Sequence, residues 1–198
     1  LGGAFRGLWG AAGMHMVLTD AARQLAAVDG WTDGWVGIRN TLHLDKEHLD
    51  ATSMAKLKAL EQDLAPRKLL EQIKAKVLSR GAFGKVLDDE CEQDDSEPKS
   101  SVRWYYKAQE EAEKLGKAAA FDKDALADLT PYVSGAKSTD KSWHFGFGIG
   151  QTAPSTQEIL DRIKKILPEV KKDGVNSVFI RGLVAGWHKS KPSEVSAF

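Results

Sequence analysis

Apolar residues recur along this chain at helical rather than strand spacing. In GWVGIRNTLHL, Trp35, Ile38 and Leu42 fall at i, i+3 and i+7, and in MAKLKALEQDL the residues Met54, Leu57, Leu60 and Leu64 keep a similar stripe. After Pro66, PRKLLEQIKAKVLSRG carries Leu69, Leu70, Ile73 and Val77 before Gly81. Such rows place apolar side chains on one helix face. No stretch alternates apolar and polar residues between hairpin turns, the pattern that strands need. The pattern predicts an all-α protein, a degenerate and solenoid-like array of helical hairpins with about nine or ten helices.

Stop and start signals divide the array. Asp20 is expected to open AARQLAAV, which stops at Asp29-Gly30, and either Asp50 or Ser53 to cap MAKLKALEQDL. Pro66 suits a first helical position, so 54–80 reads as a helical hairpin with a tight joint. A short apolar helix is expected near 3–14, and another from Val102 to about Ala120. Asp122 or Asp124 should cap ALADLTPYV. Ser155 with Glu158 forms a capping-box pattern before TQEILDRIKKILPEV. Asn176 or Ser177 should start VFIRGLVAGWHKS, with a frayed tail after Pro192. Between Asp88 and Glu97, seven of ten residues are acidic, too polar and self-repelling to pack, so this is a solvated loop. The resulting organisation is N-terminal hairpins over 1–87, an acidic loop over 88–100 and C-terminal hairpins over 101–198, in one continuous domain.

Small residues punctuate five of the apolar stretches: Gly3/Gly7/Ala11, Gly34/Gly37, Ala108/Ala112/Gly116, Gly146/Gly150 and Gly182/Gly186. At three- or four-residue spacing they share one face and let a neighbouring helix come close. Their offsets are roughly 36 residues, with one gap about twice that, in the range of helical-hairpin repeats. Trp9, Trp31, Trp35, Trp143 and Trp187 sit in or beside these stretches. Two readings of them stand: tryptophan fills the space that glycine opens, or it forms a recognition surface. On the second, Trp31, Trp35, Trp143 and Trp187 are the protein-binding candidates.

Composition narrows the chemistry. Lysine plus arginine equals aspartate plus glutamate, 28 each, so no basic excess marks a dedicated nucleic-acid binder. Two local basic stretches remain, one around Lys68, Lys74, Lys76, Arg80 and Lys85, the other Arg162, Lys164, Lys165, Lys171 and Lys172. They make Lys74, Arg80, Lys164 and Lys171 candidates for weak backbone contacts to a nucleic acid. No apolar run approaches the length of a membrane span, so no membrane partner is expected. The single cysteine, Cys91, excludes an intrachain disulfide, which suits a cytoplasmic setting, and its acidic neighbours disfavour the thiolate. The five histidines offer no metal spacing, and GFGIGQ (146–151) is not a phosphate loop because no strand precedes it. Neither a cofactor nor a metal is expected. An enzymatic alternative would assemble a site around His144, Trp143 and Arg181, polar groups set in apolar helices.

GWVGIRNTLHLD with LKALEQDLAPRKLLEQIKAKVLS (34–79), LADLTPYVSG and WHFGFGIGQ (126–151), and VFIRGLVAGW (178–187) resemble the helical region of large bacterial STAND-type NTPases implicated in antiphage defence. The resemblance covers about two-thirds of the chain and involves no catalytic motif. It implies a piece downstream of an ATPase core, with no Walker lysine or magnesium ligand of its own. A start at Leu1 rather than methionine fits such a piece. The function expected is therefore a non-enzymatic sensor or interaction module that binds a protein partner or its own parent chain.

Overall fold

The computed structural model describes residues 8–9, 11, 13–29, 32–44, 47, 49–78, 101–127, 141–173 and 177–195. Among them every regular element is a helix, as the spacing predicts. The chain divides into two compact units: Leu1–Ala75 with Ser79–Tyr105, and Lys76–Leu78 with Tyr106–Phe198. The acidic stretch 88–97, Cys91, Trp31, Arg80 and most of the expected helix 3–14 lie outside the described residues.

The first unit contains α1 (Met14–Asp29), α2 (Thr32–Leu44), α3 (Ala51–Asp63) and α4 (Leu69–Ile73), which passes into a π-helical turn over Lys74–Leu78. α1 begins six residues before Asp20. Gly13 takes a left-handed φ of 79°, and the stripe Met14, Leu18, Ala22 extends the apolar face back to that turn. Asp20 is left exposed in mid-helix. Trp9, Leu18, Ala22, Ile38, Leu57 and Leu60 form the core, with Met14, Leu42, Leu49 and Leu64 packed around it. The Trp9 indole N–H donates to the Ser53 carbonyl at 3.2 Å, so its burial leaves no orphan donor.

Asp50 is the cap of α3: its carboxylate accepts the Ser53 amide at 2.8 Å and the Ser53 hydroxyl at 2.9 Å. The next joint differs from expectation. Pro66 lies in a non-helical link, and helix resumes only at Leu69, after an extended Lys68, because Glu71 reaches back to accept the amides of Arg67 and Lys68, both at 3.3 Å. The expected 54–80 hairpin is thus two helical pieces, 51–63 and 69–78, joined by a five-residue link. Trp35, Val36 and Ala75 make a second small core with Leu64 and Ala65.

The second unit takes α5 (Ser101–Ala119) from Tyr106 onward, a helical turn over 123–127, α6 (Lys141–Thr152), α7 (Thr156–Asp173), α8 (Val178–Ser190) and a short α9 (Pro192–Val195) where fraying is expected. Lys76, in its N-terminal piece, pairs with Glu111 of α5 at 2.7 Å. Phe145, Ile149, Ile159, Phe179 and Leu183 are its most deeply buried large residues.

Glycine sets the spacing of α6 and α8. A methyl group built on Gly182 or Gly186 would overlap the carbonyl oxygens of Trp143 or Phe147. Built on Gly146 or Gly150 it would overlap those of Phe179 or Leu183, and from Gly150 it would lie 2.7 Å from the Trp187 amide nitrogen. The contacts advance together along both helices, so α6 and α8 run parallel, with α7 as the return. This is the small-xxx-small geometry in which backbones approach and Cα–H groups meet carbonyls. The 36-residue offset between these two stretches therefore spans one return through α7, and the stretches face each other across one seam. The other face of α6 repeats the device, for Gly148 abuts the Glu113 carbonyl and Gly116 of α5 abuts that of Phe145.

Candidate functional site

The N-terminal half of α7, the turn over 123–127 and the start of α8 enclose a groove of about 390 Å³ in the second unit. Local chemistry fixes each wall. Asp122 accepts the Ala125 amide at 2.9 Å and so starts the 123–127 turn, which carries Lys123, Leu126 and Ala127 to one side. Ser155 accepts the Glu158 amide at 3.2 Å, the N-cap half of the expected box, and α7 then presents Gln157, Glu158, Asp161, Arg162, Lys165 and Ile166. Phe179, placed by the glycine seam of α8, completes the floor with Leu126 and Ile166.

The charges around this apolar floor are unequally committed. Arg162 donates from Nη2 to the Ala120 carbonyl at 2.7 Å and to Glu158 at 2.6 Å, while its buried Nε has no hydrogen-bond partner. Gln157 donates to Asp161 at 2.7 Å. Lys123 and Lys165 are exposed, and no described residue pairs with either ammonium group. Arg162, a member of the second basic stretch, fastens α7 to the chain just past the end of α5.

The tryptophans divide. Trp35 and Trp187 are 3% and 4% exposed, so the structure takes both out of the recognition set and makes them core. Trp35 donates to Glu61 at 2.9 Å, and Arg39 covers its ring at 5.1 Å while also donating to Glu61 at 3.2 Å. Trp143 is half-buried, stacked on Phe147 with ring centres 5.0 Å apart and edge-on to His144 at 4.8 Å. Lys189 of α8 sits over the Phe147 ring at 5.3 Å.

His144 is half-buried, and burial pushes its imidazole below the ordinary value against an opposing pull from the Glu113 carboxylate. Arg181 is exposed, and no hydrogen bond or ion pair joins it to His144. Neither residue lines the groove. Lys74 is half-buried in the first unit and Lys164 is exposed in the second. The side chain of Lys171 lies outside the described residues. Among the described residues no cluster of three or more histidine, cysteine or carboxylate side chains is placed to hold a metal, and no helix is long and apolar enough to cross a membrane.

Sequence reading misses the groove because its described walls come from three separated segments. Only Lys165 and Arg162 carry a signal, as members of a basic stretch. The capping signals at Asp122 and Ser155 locate both helical edges but do not bring them together. No protein-family model matches the chain, and no similar curated protein or solved structure was found.

Proposed function

We propose that this chain is a non-enzymatic helical interaction module of a larger cytoplasmic protein, and that it binds a peptide segment of a partner or of its parent chain in the groove between 123–127 and α7. The observation that carries this reading is an open, apolar-floored groove whose rim holds two exposed lysines, Lys123 and Lys165. An apolar depression with a few placed polar groups is the usual form of a binding site, and about 390 Å³ has room for one or two large side chains. The resemblance to helical regions of STAND-type NTPases supports a sensing role beside an ATPase core, with the ligand a protein rather than a nucleotide. A displayed random-peptide library selected on the whole chain, then screened on Ala127→Trp, tests it. Ala127 is exposed on the groove wall, so the tryptophan fills the groove without disturbing a core position. Selected peptides should lose Ala127→Trp. A selection that yields no binder, or only binders indifferent to Ala127→Trp, contradicts the reading.

A further inference from the structure

Resting on that reading, we infer that the groove selects an acidic peptide segment carrying a large apolar anchor. Among the described residues, three cationic side chains, Lys123, Arg162 and Lys165, line it against two carboxylates, Glu158 and Asp161, a net positive lining. With Arg162 and Glu158 paired, the balance at the rim is the two lysines against Asp161. Glu158 is held by Arg162 at 2.6 Å, and Asp161 takes the Gln157 amide at 2.7 Å. Lys123 and Lys165 are both exposed to solvent. A chain that inserts a leucine or phenylalanine over Leu126, Ile166 and Phe179 carries its neighbouring residues past Lys123 and Lys165.

Apolar insertion supplies affinity, whereas rim charges chiefly set selectivity and encounter rate. Acidic flanks gain attraction from both lysines; basic flanks meet repulsion from both. Rim pairs of this kind are solvent-screened, so the preference should fade with salt.

Fluorescence anisotropy on the whole chain tests the inference with three labelled twelve-residue peptides that share one central leucine-phenylalanine pair. Their flanks are aspartate and glutamate, the matching asparagine and glutamine, or lysine. The acidic peptide should bind about tenfold more tightly than the amide peptide at low salt. That gap should close in about 0.5 M salt. Lys123→Glu with Lys165→Glu, both exposed positions, should invert the order in favour of the lysine peptide. Equal binding of the acidic and amide peptides, lost in Ala127→Trp, overturns the charge selection and leaves the peptide-binding reading standing. Tightest binding of the lysine peptide to the unaltered chain also overturns the charge selection. Absence of binding by all three peptides up to about 1 mM overturns both. Saturable binding of dodecanoate in the groove, with no peptide bound, overturns both as well and points to a small amphiphile.

Discussion

Lys141 opens α6 yet is only 3% exposed, an unfavourable place for a cation on two grounds, burial and the positive end of a helix. Burial lowers its ammonium to about 8 from 10.5. Below pH 8 both folded and unfolded chains carry the charge, and the folded state holds it in a buried position. Between about 8 and 10.5 the unfolded chain binds the extra proton, so stability rises with pH across that window. Lys141→Met removes the titrating group and should therefore flatten the rise between pH 8 and 10, measured by urea unfolding. A variant that keeps the slope contradicts this. Asp50 shows the opposite sign. The Ser53 amide and then the Ser53 hydroxyl hold its carboxyl below 3.8. Its contribution is complete above the unfolded value near 4 and is lost as pH falls through the lower folded value. Asp50→Asn keeps a competent cap but has no charge to titrate, so acid unfolding below pH 4 should become less steep. An unchanged acid limb contradicts that.

At the scale of elements, helix–helix contacts in the two units rest on different chemistry. α2 meets α3 through a half-buried trio in which Glu61 accepts from both Trp35 and Arg39. Glu61→Ala strands the Trp35 N–H and should cost about 2 kcal/mol, while Glu61→Gln retains an acceptor and should cost less than half of that. Thermal unfolding of the two variants decides it, and equal losses contradict the role of the indole bond. α6 and α8 instead meet backbone to backbone. Much of this was legible in sequence: the stripes give the helices, Asp50 and Ser155 give their starts, and Gly146/Gly150 with Gly182/Gly186 mark surfaces of close approach. The sequence is silent on which of those surfaces meet, since spacing along one helix says nothing about its partner. It is equally silent on the π-helical turn at Lys74–Leu78, because KAKVL keeps apolar residues at positions that either helix type would bury. Asp20 misleads as a start signal because an acidic residue on a solvent face looks like a cap until the upstream stripe is seen to continue.

For the whole molecule, the groove depends on the seam behind it. Phe179 lines the groove floor and, one residue from the start of α8, its carbonyl lies against Gly146. The depth of the groove is thus tied to how closely α8 approaches α6. That coupling explains why the site is hard to read from sequence: its residues are ordinary, and only packing assembles them. It also gives the seam an unusual mutational sign. Alanine normally stabilises an interior helix position over glycine by about 1 kcal/mol. At Gly182 the added methyl would overlap the Trp143 carbonyl oxygen and reach its carbonyl carbon at 2.8 Å, with backbone that cannot turn aside. Forcing the helices apart should outweigh the propensity gain by about 2 kcal/mol. Hydrogen exchange of Gly182→Ala, read separately over 141–152 and 178–190, measures this directly. Protection in both segments should fall together by about that amount, with the first unit unchanged. Protection that holds or rises in both segments would contradict the close-packed seam and, with it, the groove it supports.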